Sequence, residues 1–192
     1  MLKKELIWRE ILFQAINNKK TKFTQKELAN QFGFSLSTVF NALKIPRQVG
    51  AVYVSGRDFS LIDTEKFLNI WATQRNLKRE IIYQTYVDLP VLKLEAEMPA
   101  GIIYTAFSAF RLKFKEVPAD YDKVYIYAKD LSEIKKRFPP KKGRENLIVL
   151  KIDNFLTKYG PIPPLAQIYV DLWNLSEWYA RDFLEALKKK IL

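Results

Sequence analysis

The chain has 192 residues, of which 48% are hydrophobic and 14% aromatic, so it can bury a core and is not expected to be disordered. Its net charge of +11 favours an anionic partner, with nucleic acid as the first candidate. The absence of cysteine and histidine excludes disulfides, Cys/His zinc sites and Ser-His-Asp triads. The 28% share of charged residues, rich in Lys and Glu, is also typical of thermophiles.

The first residues, MLKKELIWREILFQAI, place charges inside an apolar run, which predicts an amphipathic helix rather than a signal peptide. No stretch reaches the roughly 20 consecutive apolar residues of a membrane span. We therefore expect a cytoplasmic protein without a membrane partner. The polar run at 17–22 is predicted to be a loop.

Residues 24–63 show the pattern of two short helices followed by a β-hairpin. Thr24 is suited to cap the first helix, and Gly33 to end it with a positive φ. Ser35 is suited to cap the second helix, which carries the sequence LSTVFNAL. Because Pro46 cannot donate an intrahelical hydrogen bond, we expect this second helix to end by Lys44 or Ile45.

Strands are predicted at 51–54 and 59–62, around a turn with Arg57 near its tip. Helix, turn, helix and hairpin in this order resemble a winged helix-turn-helix, whose second helix enters the major groove of DNA. Four apolar residues of that helix recur at helical spacing and are expected to face inward: Leu36, Val39, Phe40 and Leu43. The candidate DNA-binding residues are the polar and basic side chains of the second helix, its flanks and the hairpin: Lys22, Ser35, Ser37, Thr38, Asn41, Lys44, Arg47 and Arg57.

Local charge supports this interpretation. The stretch from Asn18 to Arg57 contains seven basic residues and one acidic residue, a balance of +6. Such a concentration of positive charge is typical of proteins that bind polyanions. The alternative is a winged helix that contacts only other proteins.

Beyond residue 63 the pattern indicates a second domain. We expect a winged-helix domain at 1–63, a connecting helix at 64–79 and a mixed α/β domain at 80–192. Strands are predicted within 80–87, 102–105, 124–128 and 147–152, with helices between them and two helices at the end of the chain. The predicted fold class is therefore α/β, of the α+β type.

Four segments occur in an order that resembles a known family: LIDTEKFLNIWA, PAGIIYTAFSAF, VYIYAKDL and PLAQIYVDLWNLSEWYARDFLEAL. They are similar to AbiEi-type proteins, the antitoxin and transcriptional-repressor half of type IV toxin–antitoxin systems, and to their archaeal relatives. The resemblance implies a winged helix joined to a domain of nucleotidyltransferase-like fold. It also implies a regulator that binds double-stranded DNA and a cognate toxin as a protein partner.

The implied fold raises the question of catalysis. Active nucleotidyltransferases place a Gly-Ser turn before a helix and an Asp-x-Asp pair on the next strand, where they hold magnesium and phosphates. Here the turn reads Thr105-Ala106-Phe107-Ser108, without glycine, and Asp120 and Asp122 precede the strand VYIYA. We therefore interpret the site as degenerate, and expect no catalytic residue, no metal and no cofactor.

Three functions remain open. The first is a transcriptional regulator, the second a nucleotidyltransferase acting on a nucleotide or RNA, and the third an antitoxin-like adaptor for a protein. Trp173, Trp178 and Tyr179 could form a partner surface, although their spacing favours a helical core. The sequence leaves open whether the chain forms a homodimer.

Overall fold

A computed structural model describes all 192 residues. The chain divides into two compact units. One contains Met1–Arg75, Pro164–Val170 and Lys190–Leu192, and the other contains Asn76–Pro163 and Asp171–Lys189. Both mix helices with a small sheet, which confirms the predicted α+β class. None of the helices combines the length and the apolar character needed to cross a bilayer.

The first unit begins with seven elements, in the order α1 (Lys3–Asn18), β1 (Lys22–Thr24), α2 (Gln25–Phe32), α3 (Leu36–Gln48), β2 (Val52–Ser55), β3 (Asp58–Leu61) and α4 (Thr64–Gln74). The three strands form an antiparallel sheet in the order β1-β3-β2. The two helices and the hairpin expected from residues 24–63 are therefore present, α2, α3 and β2–β3, with strand limits shifted by one residue.

The prediction of a loop at 17–22 is wrong for its first and last residues. α1 continues to Asn18, and β1 begins at Lys22. Lys22 lies opposite Ser60 in the antiparallel pair of β1 and β3. The Phe23 ring stacks on Phe59 with the ring centroids 5.5 Å apart. Lys22 thus lies on a strand because pairing across the sheet, together with this aromatic contact, outweighs the polar character of the local sequence.

Capping side chains set the limits of the two central helices. The Glu27 N–H donates to Thr24 Oγ1 at 3.0 Å, and Gly33 adopts φ +65° at the end of α2. The Thr38 N–H donates to Ser35 Oγ at 3.2 Å at the start of α3. These three residues act as the sequence predicted, because capping depends on neighbours only three residues away.

The expectation that α3 ends by Lys44 or Ile45 is wrong. The helix continues to Gln48 with Pro46 in its last turn. Pro46 has no N–H for the carbonyl of Ala42, but the buried indole Nε1 of Trp8 donates to that oxygen at 2.8 Å. A donor from α1 therefore replaces the hydrogen bond that proline removes.

The helix predicted as a connector at 64–79 is α4, and it belongs to the first unit. The Asp63 side chain caps it by accepting from the Lys66 N–H at 2.8 Å. Phe67 and Trp71 are fully buried, and the Phe67 ring makes an edge contact with Trp8 of α1. α4 thus forms part of the core against which α1 and α3 pack.

The second unit contains four strands in the order β4-β7-β6-β5: β4 (Ile81–Thr85), β5 (Ile103–Thr105), β6 (Val124–Ala128) and β7 (Leu147–Lys151). β6 and β7 are parallel, and the other two pairs are antiparallel. Three helices connect the strands: α5 (Val91–Ala96), α6 (Ala106–Phe114) and α7 (Ser132–Arg137). Two more follow: α8 (Leu165–Trp173), which the division of the chain splits at Val170, and α9 (Ala180–Ile191). Every residue of β6 is buried, which is typical of a central strand.

Candidate nucleic-acid interface

The orientation of α3 decides which side chains a partner can reach. Its buried side consists of Val39, Ala42, Leu43 and Pro46. The prediction that Leu36 and Phe40 face inward is wrong, because 55% of Leu36 and 46% of Phe40 remain exposed. Ala42 and Pro46 are buried instead, and the backbone carbonyl of Ala42 accepts a hydrogen bond from Trp8 of α1. The helix is therefore rotated relative to the face that its large apolar residues indicated.

The exposed side of α3 carries most of the predicted DNA-binding residues. Ser37, Asn41 and Lys44 are exposed, and they share a face because they are separated by three or four residues. Thr38 is half-buried rather than fully exposed, and its hydroxyl lies 2.9 Å from Ser35 Oγ. Ser37 Oγ lies at the same distance from Ser35 Oγ. Ser35 therefore orders the first turn of α3, and Thr38 contributes less to the exposed surface than expected.

Three cations of this region make no ion pair: Lys44 and Arg47 on α3, and Arg57 in the turn between β2 and β3. All three are exposed. No acidic residue occurs between Glu27 and Asp58. No carboxylate therefore pairs with these three cations, which favours an anionic partner.

Two other lysines of the basic stretch are paired. Lys22 Nζ lies 3.6 Å from the Asp58 carboxylate, and Lys20 Nζ lies 2.8 Å from Glu27 Oε1. All four side chains are substantially exposed, so these pairs are weak and screened by salt. Lys22 is thus present at the β1 edge of the predicted interface, but with part of its charge offset by Asp58.

A shallow cavity of about 30 Å³ lies between α3 and β2. It is lined by Gln25, Phe40, Leu43, Lys44, Arg47 and Val54. The cavity joins the start of α2, the middle of α3 and the strand that leads to Arg57. A partner that contacts Lys44 and Arg47 at this place also meets the exposed ring of Phe40.

The second unit contains the residues considered for catalysis. Asp120 and Asp122 are exposed and precede β6, with Tyr121 buried between them. The Tyr179 hydroxyl donates to Asp122, and the Arg144 guanidinium lies 3.9 Å from its other oxygen. No group of three or more carboxylates in the structure is arranged to hold a metal ion.

The turn from β5 into α6 is as sharp as a phosphate-binding turn, but a phosphate could not reach it because its residues are buried. Ala106 adopts φ +50°, a left-handed conformation that glycine adopts more easily. Thr105, Ala106 and Ser108 are fully buried, and Ser108 Oγ has no hydrogen-bond partner. The Thr105 hydroxyl donates a hydrogen bond to the Asp171 carboxylate at 2.8 Å. The turn is therefore closed to a phosphate in this structure.

Two tryptophans near the end of α8 are exposed, contrary to the core that their spacing favours. Trp178 is 75% exposed and Trp173 is 41% exposed, whereas Tyr179 is buried. The reason is that α9 begins only at Ala180, so these residues do not continue one apolar helical stripe.

Comparisons of the chain with protein-family models, with curated proteins and with solved structures found no match. Sequence reasoning missed the exposed Phe40 and Leu36, because a helical apolar stripe normally marks the buried face. The one local signal of their exposure was their position beside the polar and basic residues Ser37, Asn41 and Lys44.

Proposed function

We propose that the protein binds duplex DNA through the exposed side of α3 and the β2–β3 turn, and that it acts as a cytoplasmic transcriptional regulator. The observation that carries the proposal is the combination, on one side of α3, of an exposed amide and unpaired cations. Asn41 and Lys44 are exposed there, and Arg57 lies on the adjoining hairpin. This arrangement supports insertion of α3 into a major groove, with the hairpin turn on the phosphate backbone.

Each part of this surface has a distinct chemical capacity. The Asn41 amide has a donor and an acceptor, which match the N7 and N6 groups of adenine in the major groove. Lys44, Arg47 and Arg57 can neutralise phosphates without sequence preference. Ser37 can donate to either a base edge or a phosphate.

The salt dependence of binding tests this proposal. Each phosphate that the protein neutralises should add about −0.9 to the slope of log K against log salt concentration. Lys44→Ala, Arg47→Ala and Arg57→Ala should each make the slope shallower by about one unit. Lys93→Ala is the matched control, because Lys93 is an exposed lysine on α5 in the second unit. Binding that is independent of salt, or equal effects of all four substitutions, would contradict the proposal.

The resemblance to AbiEi-type proteins adds a more specific form of this proposal, in which the DNA site is the promoter of the protein's own operon. It also suggests that the second unit binds a toxin protein. The exposed Trp178 supports such a contact, because tryptophan is enriched at protein interfaces and is rarely left open to solvent. Trp178→Ala should then weaken capture of a toxin encoded beside this gene while leaving duplex binding unchanged.

A further inference from the structure

Two exposed apolar side chains lie within the proposed DNA-binding face. Phe40 and Leu36 are separated by four residues, so they are neighbours on the surface of α3. Asn41 follows Phe40 directly, and Lys44 Nζ lies 5.6 Å from the centre of the Phe40 ring. Phe40 is 46% exposed beside this lysine, and packing within the first unit does not explain an aromatic residue at this position.

The chemistry of the major groove limits what these side chains can contact. Thymine is the one base that adds an apolar methyl group, at C5, to the hydrogen-bonding groups of the major-groove edge. Phenylalanine and leucine have no donor or acceptor in the side chain, so the thymine methyl is the base group that they complement. Asn41, one residue further along α3, complements adenine, the partner of thymine.

Resting on the DNA-binding function proposed above, we infer that Phe40 and Leu36 form a contact surface for thymine methyl groups. The protein then selects sites in which A·T pairs face the first half of α3. Charge favours DNA over an apolar protein partner at this surface. A protein that covered Phe40 would also cover Lys44, and no acid between Glu27 and Asp58 of this chain would neutralise it.

Replacement of thymine by deoxyuridine tests this inference, because it removes the methyl group and leaves the charge and base pairing of the duplex unchanged. Duplexes are first selected by the full-length protein from a random pool of about 20 base pairs, the length of about two turns of DNA. Each thymine is then replaced singly, and affinities of the parent and of Phe40→Ala are measured by fluorescence anisotropy at one salt concentration.

For the parent, one or two replacements should weaken binding by about threefold to fivefold, the effect of losing one buried methyl group. For Phe40→Ala, the thymine and uracil forms at those positions should bind equally. Phe40→Leu should retain part of the difference, since it keeps an apolar side chain. Leu92→Ala, which removes an exposed apolar side chain from α5 of the second unit, should behave as the parent.

Equal binding of thymine and uracil forms at every position by the parent would overturn the inference. So would a difference that persists undiminished in Phe40→Ala, because it would then arise from the shape of the DNA. Failure of the parent to enrich any duplex would overturn the proposed DNA-binding function itself. Thermal unfolding of each variant verifies that the exposed substitutions leave the fold intact.

Discussion

The indole Nε1 of Trp8 donates a 2.8 Å hydrogen bond to the carbonyl oxygen of Ala42, the acceptor that Pro46 leaves without its helical donor. This contact joins α1 to the last turn of α3 inside the core of the first unit. It allows α3 to continue to Gln48 despite the proline. Arg47, in that last turn, consequently presents its charge from a helix rather than from a loop.

We expect Trp8→Phe to destabilise the protein by about 1–3 kcal/mol, because the substitution leaves the buried Ala42 carbonyl without a donor. In a Pro46→Ala background the same change should be less harmful, since residue 46 can then donate to Ala42. Chemical denaturation of the four proteins measures this coupling. A Trp8→Phe effect of equal size in both backgrounds would show that only the loss of ring volume matters.

The proposed reading of bases predicts a defined effect of Asn41→Ala. If the Asn41 amide contacts an adenine with both of its groups, its loss should reduce discrimination at one base pair by about 1–3 kcal/mol. Competition binding with single-base variants of a selected duplex measures this. Asn30→Ala provides the control, because Asn30 is an exposed asparagine on α2. Unchanged discrimination at every position would remove Asn41 from the base-reading surface.

The pairing of Lys22 with Asp58 predicts that an acid restrains DNA binding. Asp58→Asn removes the negative charge 3.6 Å from Lys22 Nζ while keeping nearly the same shape. We expect tighter binding to duplex DNA and a salt slope that is steeper by up to about one unit. Titration at several salt concentrations provides the measurement, and an unchanged affinity and salt slope of Asp58→Asn would argue that Lys22 lies outside the interface.

The second unit is predicted to lack nucleotidyltransferase activity. Phosphoryl transfer requires carboxylates that converge on magnesium and a turn that approaches phosphate. Asp120 and Asp122 are exposed, and Ser108 is buried in the closed turn after β5. Incubation with labelled nucleotides and magnesium should give no transfer. Transfer by the parent that is lost in the Asp120→Asn, Asp122→Asn double variant would establish an enzyme instead.

Glu177 predicts a pH dependence of stability. Burial acts to raise its pKa, but hydrogen bonds from Lys123 at 2.6 Å and Tyr125 at 2.9 Å hold the pKa below the ordinary 4.5. A carboxyl whose pKa is lowered by folding contributes stability that is complete above its ordinary pKa and is lost as the pH falls through the folded value.

Replacement of Glu177 by Gln isolates this contribution. The difference in unfolding free energy between parent and Glu177→Gln should be largest near neutral pH and should shrink as the pH falls below the ordinary pKa of 4.5 and through the lowered pKa of the folded state. Denaturation at a series of pH values measures it. A difference that stays constant into acid would show that Glu177 contributes through packing rather than charge.

Local features of the sequence were sufficient for most of the secondary structure. Thr24, Gly33 and Ser35 act at the helix ends as predicted, because caps depend on residues within one turn. The strand at Val124–Ala128 matches its predicted limits, since a run of alternating Val, Tyr and Ile indicates a strand wherever it lies. The excess of basic residues around α3 could also be predicted from the sequence, because composition does not depend on the fold.

The sequence by itself therefore determined the helices, the hairpin and the basic character of the candidate DNA-binding region. The rotation of α3 and its length were decided only by tertiary structure, through a donor 34 residues away in the chain. Leu36 and Phe40 carried a stronger apolar signal than Ala42 and Pro46, yet they are the exposed pair. Helical spacing indicates that an apolar face exists, but the neighbour that packs against the helix selects which residues form it.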